Sequence, residues 1–169
     1  MFLLLLVAGY ALVRLVPARG RWGERDRWRL ALGAAMVFAG ISHLVMPTPF
    51  VQHMPSWVPA RELLVFATGL VEIAFGPALW FTHGQARRWT GWALAAYLVG
   101  VFPGNIYVAV AGVDVQGQPD GLYAWLRLPL QVLFVWLAVW CTGVLGGRTA
   151  DAQPLRVRTR AEAEVPAKR

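Results

Sequence analysis

Leu63 to Phe81 reads LLVFATGLVEIAFGPALWF, an apolar run broken by one ionisable side chain, Glu72. A helix needs roughly 20 such residues to cross the ~30 Å hydrocarbon core of a bilayer. A carboxyl group in the middle of that run is costly in lipid, so it requires a partner or a function. These two facts set the fold class and mark the first place to look for a site.

Four further apolar stretches accompany it: Met1 to Val16, Leu30 to Met46, Trp89 to Ala111 and Tyr123 to Leu145. The first is short, contains Arg14 and ends at Pro17. No positive segment precedes it and no small-residue cleavage site follows, so it reads as a short N-terminal span and not a signal peptide. Arg14 is expected to snorkel to the nearby interface. Composition agrees with a membrane chain: 57% of residues are hydrophobic, 15% are charged and the mean hydropathy is +0.49. Soluble domains average about 25% charged residues.

The net charge of +7 is carried by arginines in short segments that flank the runs. Topology explains that placement, and it points away from nucleic acid. Arg19, Arg21, Arg25, Arg27 and Arg29 lie in the first connection, Arg87 and Arg88 in the third, and Arg148 to Arg169 in the tail. The connection from Pro47 to Ala60 has no lysine or arginine, and that from Gly112 to Leu122 carries only Asp114 and Asp120. The alternation expects the N-terminus outside and the C-terminus in the cytoplasm. Trp28, Trp57, Trp80, Trp89, Trp92 and Trp125 fall at span ends, as in an interfacial aromatic belt. The stretch PTPFVQHMPSWVP, from Pro47 to Pro59, is read as a loop on the outer interface, too rich in proline for a helix to cross. The lone Cys141 excludes an internal disulfide, a CxxC pair or a cysteine cluster within this chain.

Five polar side chains lie within the runs: His43, Glu72, Asn105, Arg127 and Gln131. Small residues recur on the same faces. Gly33 and Gly40 are seven apart, as are Gly69 and Gly76, while Gly100 and Gly104 are four apart. Such stripes let membrane helices approach closely. Glu72 shares the Gly69–Gly76 face, His43 follows Gly40 by three, and Arg127 and Gln131 are one turn apart. All five are expected to line one pocket toward the outer side, Glu72 deepest. Pro77 and Pro103 free the carbonyls of Ile73 and Val99 as extra acceptors.

The runs AGISHLVMPTPFVQHMPSWVP, GLVEIAFG, VFPGNIYVAV and WLRLPLQ, in that order and spacing, resemble the DoxX-like family of small bacterial membrane proteins. The resemblance covers about Trp28 to Thr142. Two features depart from the family pattern: the extra N-terminal span, and Gly104 where alanine is usual. The resemblance implies a four-helix membrane bundle. Some members are linked to quinone-coupled sulfur oxidation or act as partners of membrane oxidoreductases.

The expected organisation is therefore an all-α integral membrane bundle in a bacterial inner membrane. Residues 1–17 form an N-terminal transmembrane segment, 28–146 the four-helix DoxX-like domain, and 147–169 a disordered basic cytoplasmic tail. Glu72 and Arg127 read either as a register-fixing pair or hydrogen-bonded acid, or as a proton-handling or quinone-headgroup site. His43 reads either as a satisfied helix-end histidine or as a quinone contact; ligand logic disfavours a metal or haem. Three classes stay open: an accessory or quinone-interacting subunit of a membrane oxidoreductase, a small-molecule binder or transporter, and a structural or assembly protein whose polar cluster only specifies packing. The expected partners are the lipid bilayer and either a membrane oxidoreductase or further copies of this chain in a homo-oligomer. No nucleophile–base constellation, phosphate loop or metal cluster argues for independent catalysis.

Overall fold

The computed structural model describes residues 2–15, 23–118 and 121–145, and every regular element in them is helical. These elements are α1 (Phe2–Leu15), α2 (Glu24–Val45), α3 (Pro47–Val51), α4 (Arg61–Phe81), α5 (Gly84–Ala111) and α6 (Leu122–Cys141). The end of the first span at Pro17, Arg19 and Arg21 of the first connection, Asp120 of the fourth and the basic tail expected to be disordered lie outside the described residues.

Helices α2, α4, α5 and α6 are long and apolar enough to cross a membrane, which makes this a multi-pass membrane protein. Their outward faces bear Phe66, Val99, Val110, Leu126, Val132 and Trp136, all exposed. Lipid, unlike water, carries no penalty for such faces. Helix α1 is also apolar, but its 14 residues cover only about 21 Å at ~1.5 Å each. It packs on α2, where the Tyr10 ring stacks on Trp28 at 4.0 Å and the Tyr10 hydroxyl donates to Glu24 Oε2 at 2.5 Å. Arg14 pairs with Glu24 Oε1 at 2.9 Å, so its charge is met by a carboxylate at the start of α2.

Two tight pairs build the bundle: α2 with α4, and α5 with α6. The α2–α4 seam is the glycine stripe anticipated above. A Cβ on Gly69 would lie 2.8 Å from His43 Cβ and 3.0 Å from the Gly40 carbonyl. One on Gly76 would lie 3.1 Å from the Gly33 carbonyl. Backbones can come this close only where side chains are missing. The Gly100–Gly104 pair does not behave this way. Gly100 faces open space, and Gly104 receives the His53 carbonyl of a connection, not another helix. Trp80 also departs from the belt reading: its ring lies on Gly33 and its Nε1 donates to the Leu30 carbonyl at 3.1 Å. Trp57, Trp89, Trp92 and Trp125 are exposed. Leu32, Met36, Leu79, Leu94, Leu98, Phe134 and Leu137 fill the core between the pairs.

The stretch from Pro47 to Pro59 corrects the loop reading. It begins with the short helix α3, because Pro47 and Pro49 fall in a first turn, where no backbone donor is lost. The connection then folds over the bundle end and ends at Ala60, a non-glycine residue with φ 50° that starts α4.

Candidate functional site

Glu72 lies on α4, eleven residues from its start at the α3 end, or about 16 Å down at ~1.5 Å per residue. That depth is about half the ~30 Å that a spanning helix must cross. The residue is buried, 8% exposed. The Tyr97 hydroxyl of α5 donates to Oε1 at 2.7 Å. The other oxygen, Oε2, is buried with no hydrogen-bond partner and lies 3.7 Å from His43 Nδ1 on α2. That separation is too long for a hydrogen bond. Thr68, one turn before Glu72, donates to the Leu64 carbonyl at 2.9 Å and stands 3.4 Å from His43 Nδ1. Three helices thus meet at a carboxyl group with one satisfied oxygen and one bare oxygen.

The five polar residues fall into three bonded groups. Glu72 and His43 come together. Asn105 Nδ2 donates to Gln131 Oε1 at 3.4 Å, and Gln131 Nε2 donates to the Leu98 carbonyl at 2.8 Å, a separate α5–α6 link. The acceptor is therefore Leu98, one residue before the Val99 carbonyl that Pro103 was expected to supply. Arg127 forms a third group. It donates through Nη1 to Gln118 Oε1 at 2.8 Å and to His53 Nε2. Glu72 does not pair with Arg127, and its hydrogen bond comes from neither Asn105 nor Gln131. Helix direction explains the split: on α6 Arg127 sits a turn nearer the α3 end than Gln131, level with the connection that covers that end.

His53 was read as a residue of a surface loop, yet it is 9% exposed. Its Nδ1 lies 2.6 Å from the Pro49 carbonyl. A carbonyl can only accept, so Nδ1 carries the proton and Nε2 is left to accept from the Arg127 guanidinium. Burial, and then the Arg127 charge, push the His53 pKa down to about 4, so the ring is neutral near pH 7. Phe50 links the groups: its ring stands edge-on to His43 at 3.8 Å and 6.5 Å from His53.

Tyr97, Thr68, His53 and Gln118 are the residues that pattern reading missed. Tyr97 had a usable signal, because a phenol inside a span needs a partner and Glu72 needs a donor. His53 had a weaker one in the two prolines that start α3. Nothing in the one-dimensional pattern separates Gln118 from a solvated loop residue. Among the described residues, no three His, Cys, Asp or Glu side chains converge as metal ligands would.

A family model described as a domain of unknown function, DUF8561, matches residues 32–142. The chain belongs to the DUF8561 family. The DUF8561 segment runs from inside α2 to the residue after α6, so it contains every side chain of the site and leaves α1 outside. No curated protein and no solved structure matches the chain.

Proposed function

We propose that this DUF8561 protein binds a small polar headgroup at Glu72, as an accessory, quinone-interacting subunit of a membrane oxidoreductase in a bacterial cytoplasmic membrane. Its N-terminus faces outward. The observation that carries the binding reading is the bare Glu72 Oε2: a buried polar atom without a partner costs about 1–3 kcal/mol, more for a charged group, and a ligand hydrogen bond removes that cost. His43 and Tyr97 flank it, so a ligand head would meet an acceptor, an imidazole and a phenol together. The DoxX-like motifs support the redox association, and the connections Pro47 to Ala60 and Gly112 to Leu122, which lack lysine and arginine, support the orientation.

A structural reading draws on a different observation. Asn105, Gln131 and the Leu98 carbonyl satisfy one another, as a register-fixing link would. The test is gentle purification from native membranes, with mass spectrometry of retained small molecules, for the parent and for Glu72→Gln shown to be folded. A quinone or other ligand held by the parent and at least tenfold depleted in the variant is the expected result. Equal retention, or none in either, removes Glu72 from ligand binding and leaves the structural reading.

A further inference from the structure

We propose that the connection from Pro47 to Ala60 is a lid that closes the Glu72–His43 site against water at the α3 end, and that Arg127 is its latch. The lid covers the site directly, since Phe50 stands edge-on to the His43 ring at 3.8 Å. Its hydrogen bonds to the rest of the bundle are polar ties at His53 and Gln52, and its apolar side chains Phe50, Val51, Met54 and Val58 are only half-buried. Helix α3 has no buried residue, and His53 is the one buried side chain of the connection. Trp57, near its far end, is 81% exposed. A segment with no fully buried apolar side chain exchanges its contacts for water at lower cost than a core helix, as locally opening segments do.

The polar contacts converge on two points. Arg127 of α6 donates both to His53 of the lid and to Gln118 of the α5–α6 connection. Gln52 of the lid accepts from the Gln116 backbone N–H at 2.8 Å, tying the two connections together. Gly104 makes room for the closed position, because a Cβ there would lie 3.1 Å from the His53 carbonyl. The lid ends are suited to turning. Met46 interrupts the helical path between α2 and α3, and Ala60 adopts a left-handed conformation before α4. The proposal is independent of which ligand the site takes.

Thr68→Cys in a Cys141→Ala background places the reporter thiol beside His43, and a charged, membrane-impermeant maleimide reads its access to water in protein held in lipid nanodiscs. Labelling should be slow with Arg127 present. It should be about tenfold faster or more with Arg127→Gln, the change expected when a hydrogen bond to a charged group is lost. Gly104→Leu, which pushes on His53 from α5 and leaves Arg127 in place, should accelerate it as well. Val99→Cys on the lipid-facing side of α5 is the reference and should not change. Fast labelling in the presence of Arg127 means the site is open and there is no lid. Unchanged rates in both variants, or equal acceleration at Val99→Cys, also overturn the proposal.

Discussion

Gly40→Ala tests whether the distance between α2 and α4 sets the geometry of the site. A Cβ at Gly40 would press on the Gly69 carbonyl and lie 2.8 Å from both the backbone nitrogen and Cγ1 of Ile73. Two of these neighbours are α4 backbone, which cannot rotate aside, so the helices must part. Overpacking of this kind costs about 1–3 kcal/mol, and a backbone obstacle puts it in the upper half of that range. Alanine gains up to ~1 kcal/mol of helix propensity over glycine, less where the denatured chain stays helical in detergent. The net expectation is a loss of about 1–2 kcal/mol. Gly100→Ala is the matched control: no atom lies within 4 Å of its Cβ, so it keeps the propensity gain without the clash. Equilibrium unfolding in mixed micelles, followed by circular dichroism, should separate the two variants by about 2 kcal/mol, close to thirtyfold in the unfolding constant. Because His43 lies one turn from Gly40, Gly40→Ala should also lengthen the 3.7 Å approach of His43 to Glu72 and weaken ligand retention. Equal stability of Gly40→Ala and Gly100→Ala would refute the reasoning.

Tyr97→Phe should destabilise the protein by about 1–3 kcal/mol, because it leaves both Glu72 oxygens without a donor. The loss should shrink in a Glu72→Leu background, which the same unfolding assay measures as a double-mutant cycle. Acid should loosen the lid through His53, which faces Arg127 from α6, His43 across Phe50 from α2, and Gly104 on α5. Its native pKa of about 4 lies below the 6.5 of a free histidine, so between those values the unfolded chain binds the extra proton. His53 therefore contributes its full stabilisation above about pH 6.5 and loses up to ~3 kcal/mol of it as pH falls toward 4. Melting curves of the parent and His53→Asn should converge over that window, and a pH-independent difference would count against the latch.

The sequence by itself determined that this is an all-helical membrane protein. Leu63 to Phe81 is too long and too apolar for another solution, and its glycines at 69 and 76 already specified a close helix contact. The same logic found Glu72 and His43, because a polar side chain inside such a run stands out whatever surrounds it. Tertiary structure alone decided the partners. Helical periodicity gives a residue's face and depth on its own helix, but not how the helices rotate against one another. That rotation put Tyr97 on Glu72. It also kept Arg127 away and sent Asn105 to Gln131. The connection over the α3 end escaped prediction for a related reason: His53 and Gln118 sit in segments without period, and only the folded chain brings them to Arg127.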